Sequence, residues 1–163
     1  YGVKPGQAKS LLLKVDVIPP SLALAQAAEE SGWGTSRFAQ EGRALFGQRT
    51  YKTAAGIKPN AGAQEHTFNV KSFDRLLDGV RSYALNLNSH RAYVHFRQVR
   101  SDLRAAFKDM GSFRLVETLG RYSERGDDYI ETIKAIVRVN NLRTLDKAKL
   151  SQSLDGARKM EDA

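Results

Sequence analysis

The sequence predicts a mainly α domain with one irregular insertion that has room for a short β-hairpin. Apolar residues recur at three- and four-residue intervals along most of the chain. That rhythm is lost between Gly42 and Val70, where Gly42, Gly47, Gly56, Pro59 and Gly62 accumulate. It returns at Ser72 and persists to about Asn141. With 163 residues, 41% of them apolar, the chain has the length of one domain and enough apolar side chains for a core without cross-links.

The first helix is expected over Gln7–Val17, with Leu11, Leu12 and Val15 on its buried side. Pro19 and Pro20 stop it and start the next, since a first helical turn has no use for the N–H that proline lacks. The second helix covers Ser21–Ser31 through a run rich in Ala and Leu. Gly32 and Gly34, on either side of Trp33, end it. The stretch from Gly42 to Val70 reads as a long loop with a short hairpin, and loops of that length are often functional. Ser72 is the expected N-cap of a helix whose inner stripe is Phe73, Leu76, Leu77, Val80, Tyr83, Ala84 and Leu87. A further helix carries Tyr93, Phe96, Val99, Leu103, Ala106, Phe107 and Met110, and Leu115, Val116 and Leu119 mark a short one. The last strong helix follows Gly126. Asp128 and Glu131 stand there at capping-box spacing, and Ile130, Ile133, Val137 and Asn140 form the inner stripe. The domain is expected to span 1–142, leaving 143–163 as a charged tail or surface helix.

Composition narrows the chemistry. Cysteine is absent, which excludes disulfides and thiolate metal sites. No apolar run approaches the roughly 20 residues that span a bilayer, so stable membrane insertion is not expected. The chain starts at Tyr1 without an initiator Met or a signal-like segment, and is expected to be a trimmed piece of something longer. His66, His90 and His95 lack zinc-ligand spacing, no Gly-rich phosphate loop is present, and no Gly-x-Ser-x-Gly elbow supports a serine hydrolase. No metal or organic cofactor is expected. The net charge of +8 suits a polyanionic partner: nucleic acid, anionic lipid or an acidic wall polymer. Arg91, Arg97, Arg100 and Arg104 fall at near-helical spacing, the footprint of a nucleic-acid binder or of a solvated basic face. Without a helix-turn-helix or RNA-recognition signature the solvated face is the better reading, and no nucleic-acid partner is expected.

Glu30 is the first candidate for chemistry. It lies in the last turn of the second helix, the partially negative end of the macrodipole, next to Glu29. It shares a side with Ala23, Gln26 and Ala27, whose small or short side chains leave the surface below the carboxyl approachable. The helix end and the second carboxylate both oppose ionisation, as a general acid in glycoside hydrolysis requires. A solvated glutamate closing a helix shows the same features, so position alone does not decide.

The neighbouring residues do. Ala25-Gln26-Ala27-Ala28 followed by Glu30-Ser31-Gly32-Trp33-Gly34 resembles the active-site segment of glycoside hydrolase family 73, the bacterial N-acetylglucosaminidase domains of flagellar hydrolases and autolysins. The likeness continues through Ser36-Arg37-Phe38-Ala39, Leu45-Phe46-Gly47 and Tyr122 to Tyr129, and covers Gln7 to Asn141. It implies a lysozyme-like α+β fold and makes Glu30, rather than Glu29, the catalytic acid. It implies substrate-binding roles for Trp33, as a stacking platform or a core residue, and for Phe46, on the cleft floor or in the core. Tyr122 would order the sugar's acetamido group or a water. Ala44 departs from the Asn that commonly precedes this Leu-Phe-Gly, so any polar contact of that Asn is missing. The family's second carboxylate sits on a hairpin after the acid helix. Glu65 is the candidate, with Glu41 behind it, unless the substrate's 2-acetamido oxygen does that work. The implied activity is an endo-β-N-acetylglucosaminidase cutting GlcNAc-β-1,4-MurNAc bonds of peptidoglycan glycan strands, as a monomer in the periplasm or cell envelope. The alternatives are a muramidase or lytic transglycosylase on the opposite bond, and a non-catalytic basic module that binds the wall.

Overall fold

A computed structural model describes residues 1–51, 56–59 and 68–149. It is mainly helical, with a small antiparallel sheet where the periodicity fails. The order is α1 (Ala8–Lys14), α2 (Pro20–Ser31), α3 (Arg37–Gly42), β1 (Arg49–Thr50), β2 (Gly56–Ile57), β3 (Asn69–Lys71) and α4 (Leu76–Ser89). A 3₁₀ turn (Arg91–Tyr93) leads into α5 (Val94–Ala105), then α6 (Ser112–Val116), α7 (Asp127–Val139) and a second 3₁₀ helix (Leu142–Lys147).

The core is built by α2, α4, α5, α6 and α7. Leu22, Ala25, Leu87, Phe96, Leu115, Val116, Leu119, Ile133 and Val137 are almost fully buried in one cluster. Helix α2 is central, and its Ser21 N–H and Oγ both donate to Asp146 of the last 3₁₀ helix (2.8 Å each). In the sheet β3 lies between β1 and β2, with Arg49 opposite Val70 and Gly56 opposite Lys71. The predicted hairpin is thus a three-stranded sheet. Helix α3, which the apolar pattern does not announce, precedes it, capped by Ser36 Oγ accepting from the Ala39 N–H.

Several expected elements differ. Helix α1 is seven residues long, and none of them is buried; Leu12 is 72% exposed. Ser72 does not cap α4. The Phe73 N–H is taken by the Gly42 carbonyl (2.9 Å), which keeps 72–75 out of the helix and leaves Leu76, Leu77 and Val80 exposed. Helix α5 stops at Ala105, so Phe107, in a left-handed conformation, points into solvent. The capping box before α7 is not made, because Gly126 is the N-cap and Asp128 stands inside the first turn. Asn140 is exposed beyond that helix rather than on its inner stripe.

The arginine stripe is the largest correction. Arg97 and Arg100 are 4% and 0% exposed. Arg97 donates to the carbonyls of Leu87 and His90, closing the C-terminal end of α4. Arg100 donates to the carbonyls of Leu13, Lys14, Asp16 and Val17 and to Asn88 Oδ1, tying the end of α1 and the following linker to the core. Arg104 is paired with Asp16 in two hydrogen bonds. Burial pushes the Asp16 carboxyl up. Hydrogen bonds from Arg104 and the Val17 N–H, with the charges of Arg104 and Arg100, outweigh it and hold Asp16 below the usual carboxylate range. Three of the four arginines are therefore spent on carbonyls and a carboxylate, not offered to a polyanion.

Candidate active site

The Glu30-Ser31-Gly32-Trp33-Gly34 segment is first a piece of turn chemistry. Gly32 adopts φ 56, ψ 51 and its N–H returns to the Ala28 and Glu29 carbonyls, the left-handed stop that glycine makes at least cost. Ser31, 2% exposed, donates to the Ala27 carbonyl (2.6 Å) and accepts from the Gly34 N–H (2.8 Å). The chain reverses immediately after Glu30, which fixes the end of α2 and the place of its carboxyl group.

That carboxyl lies at one side of a cleft of about 760 Å³. Its walls are Phe46, Gly47, Gln48 and Arg49 from the segment leading into β1, Asn86 of α4, Tyr93, and the turn Arg121–Arg125 before α7. Gly47 stands over the acid in a left-handed conformation (φ 55), and a Cβ there would sit 3.4 Å from Glu30 Oε2. A side chain at 47 would both strain the backbone and cover the carboxyl.

Beneath Glu30 runs a directed set of hydrogen bonds. The Tyr83 hydroxyl donates to Gln26 Oε1 (2.7 Å), and Gln26 Nε2 donates to the Tyr129 hydroxyl (2.8 Å). The Tyr129 hydroxyl in turn acts on the Glu30 carboxyl, favouring its ionised form. Gln26, Tyr83 and Tyr129 are all at most 1% exposed, so each polar group must find its partner inside the protein. With Tyr83 donating at one end, the Tyr129 proton is left for Glu30. Around this row Phe46 stacks on Tyr83 (3.9 Å between centroids), and Tyr122 stacks on Tyr129 (5.7 Å) and meets Tyr93 (6.0 Å).

The Glu30 carboxyl is raised above the ordinary carboxylate value. Burial is the main cause, and the Glu29 charge adds to it; the Tyr129 hydrogen bond and the Arg125 charge pull the other way. Glu29 is held by an ion pair with Arg125, whose other nitrogen donates to Thr132 Oγ1 (2.8 Å). Two adjacent glutamates thus take different parts: Glu29 ties α2 to the turn before α7, while Glu30 faces the cleft. The arrangement can hold a proton on a half-buried carboxyl beside an open, aromatic-walled groove, which is what protonating a leaving oxygen needs.

The structure brings Glu30, Phe46 and Tyr122 together on this cleft. Phe46 is 6% exposed, part of the core as well as of the cleft wall. Trp33 does not join them. It is 63% exposed beyond the end of α2, neither in the core nor among the cleft's lining residues. Ala44 is buried, with its N–H on the Phe38 carbonyl (3.1 Å). Glu41 is exposed and paired with Arg37 (3.5 Å), away from the cleft lining. Glu65 and His66 lie outside the described residues. Among the described residues no three His, Asp or Glu side chains group as a metal site would. Sequence reasoning missed Gln26, Tyr83, Tyr93 and Tyr129 as site residues. Their one signal is chemical: a tyrosine on an inner helical stripe must find a partner for its hydroxyl. It also missed Glu124, a second carboxylate on the cleft, bridged to Arg49 at 3.3 Å.

Comparison with known proteins identifies the family. Residues 6–142 match the glucosaminidase family, described as mannosyl-glycoprotein endo-β-N-acetylglucosaminidase. The chain is 35% identical over 131 residues to the protein bax of Escherichia coli (strain K12), a match that takes in 80% of this chain and 46% of that protein. The chain therefore spans under half the length of this relative. No solved structure matches it. A match running from residue 6 to residue 142 makes this chain a member of the glucosaminidase family.

Proposed function

We propose that this domain is a peptidoglycan endo-β-N-acetylglucosaminidase that cuts GlcNAc-β-1,4-MurNAc bonds with Glu30 as general acid. The observation that carries the reading is the Glu30 carboxyl, raised by burial, hydrogen-bonded from below by Tyr129 and open to the cleft on its other side. Glu30 gives its proton to the glycosidic oxygen as the C1–O bond breaks, and Tyr129 steadies the carboxylate that forms. Phe46, Tyr93 and Tyr122 offer the ring faces and hydroxyls that sugars pack against.

Positive charge on the sugar must be met from the other side. Among the described residues the other carboxylate on the cleft is Glu124, already paired with Arg49. This favours the substrate's 2-acetamido oxygen as internal nucleophile, or Glu65. Water then opens the intermediate and Glu30 takes back a proton. A monomer in the periplasm or cell envelope, where the wall is within reach, is the proposed working form.

The test is digestion of purified peptidoglycan by wild type and Glu30→Gln, with the new reducing end identified by mass spectrometry. Reducing GlcNAc released by wild type alone is the expected result. Reducing MurNAc or its anhydro form identifies a muramidase or lytic transglycosylase. Undiminished cleavage by a folded Glu30→Gln protein removes Glu30 from the chemistry.

A further inference from the structure

The Glu30 cleft does not end at its own walls. A second cavity, of about 660 Å³, lies between the sheet and the C-terminal half of α4, and Gln48, Arg49 and Asn86 line both. The two arms differ in chemistry. The first is walled by Phe46, Tyr93 and Tyr122, rings suited to stacking on pyranoses. Among the described residues the second has no Phe, Tyr or Trp in its lining and no Asp or Glu. It carries three permanent cations instead: Arg49, Lys71 on β3, and Arg91 on the 3₁₀ turn after α4.

We infer that this second arm is a binding site for a carboxylate-bearing branch of the glycan, one that leaves the sugar backbone where it crosses Gln48 and Asn86. The inference rests on the glycan-hydrolase reading above and adds the substrate's charge to it. A neutral sugar gains little among three cations and no ring, whereas an anionic branch gains from each of them. Among the described residues Lys71 donates to the Ser82 hydroxyl, at 3.4 Å, and pairs with no carboxylate. Arg49 shares its charge with Glu124 and stacks over Phe68, so it stands at the junction rather than at the end of the arm. Arg91 is exposed on the outer rim. In a peptidoglycan strand two groups supply such carboxylates: the peptide, where it is amide-linked to the lactyl group of MurNAc, and the lactyl group itself, where the peptide has been removed.

The test separates these sources and is independent of turnover. Binding is measured with the Glu30→Gln protein, so that nothing is cut, to three soluble ligands: peptide-bearing strands, strands stripped by an amidase so that only the lactyl carboxylate remains, and a chitin oligosaccharide with no carboxylate. The perturbation is the added double reversal Lys71→Glu/Arg91→Glu. Because Lys71 is also a strand residue, Arg91→Glu alone is measured beside it, and thermal melting checks that both fold. Two screened contacts reversed are expected to weaken carboxylate ligands about tenfold more than chitin oligosaccharide, less so at high salt. Selective weakening of stripped strands, with intact ones behaving like chitin, assigns the site to the lactyl carboxylate. Selective weakening of intact strands, with stripped ones behaving like chitin, assigns it to the peptide. Weakening of both relative to chitin shows that the arm takes either carboxylate. Equal weakening of all three ligands, or none, overturns the inference and leaves the glucosaminidase reading standing. Cleavage of strands by the Glu30 wild type, run in parallel, tests that reading separately.

Discussion

Replacing Tyr129 by Phe removes one oxygen and keeps the ring that stacks on Tyr122. Two costs follow from the geometry. Gln26 Nε2, at 0% exposure and 2.8 Å from that oxygen, loses its acceptor, and an orphaned buried donor costs about 1–3 kcal/mol of stability. Glu30 loses a donor that favours its ionised form, so its carboxyl, already raised by burial, moves further up. A hydrogen bond to a charged group is worth about 1.5–3 kcal/mol. Lost at the moment Glu30 becomes a carboxylate, it lowers kcat by about 10- to 100-fold. The assay is kcat/KM against pH on soluble glycan strands, with urea unfolding of the same samples. The alkaline limb, which reports the acid losing its proton, is expected to move to higher pH. Tyr83→Phe is the control. It orphans Gln26 Oε1 at a similar stability cost, but Tyr83 does not touch Glu30, so the limb should move less. A Tyr129→Phe enzyme with an unmoved limb and unchanged kcat, or equal displacement in both variants, refutes the reasoning.

Glu30→Gln carries a stability consequence beside the loss of activity. A carboxyl whose folded-state pKa is raised stabilises the fold fully below its unfolded pKa and loses that contribution as pH rises through the folded value; the neutral amide loses nothing. The variant should therefore melt above wild type at neutral and alkaline pH, with the curves converging in acid, as differential scanning calorimetry would read; a constant offset across pH would count against it. Arg100→Met leaves the carbonyls of Leu13, Lys14 and Val17 and the Asn88 Oδ1 without this donor, while the Asp16 carbonyl keeps Asn88 Nδ2, and should cost about 3–5 kcal/mol by urea unfolding, with no change in DNA retention. Loss of DNA binding in a folded Arg100→Met protein would restore the basic-module reading. Gly47→Ala forces a Cβ at φ 55 and sets it 3.4 Å from Glu30 Oε2. It should cost about 1–2 kcal/mol of stability and a larger loss of kcat/KM, and a variant that loses stability alone would show that the acid is approached from elsewhere.

Wherever one helix's own periodicity is enough, the sequence determined the outcome. Helices α2 and α7, the stop at Gly32 and the break in periodicity after α3 are all local. They follow from which residues tolerate a helix, a left-handed cap or neither. The proposed acid was legible for a different reason: Glu-Ser-Gly-Trp-Gly is a helix terminator as well as the stretch in which the sequence resembles glycoside hydrolase family 73, and the terminator is what holds the carboxyl in place. Tertiary structure decided everything that depends on what stands opposite. Apolar spacing placed Leu12 and Phe107 in a core that has no partner surface for them. Charge spacing placed Arg97 and Arg100 in solvent, yet both are buried, because the ends of α1 and α4 present carbonyls that only a long cation can reach. The row Tyr83, Gln26, Tyr129 and Glu30 joins three helices whose residues are 57 and 103 positions apart in the chain, so no local pattern could announce it. One turn is enough to place the Glu30 carboxyl; its surroundings need three helices to meet.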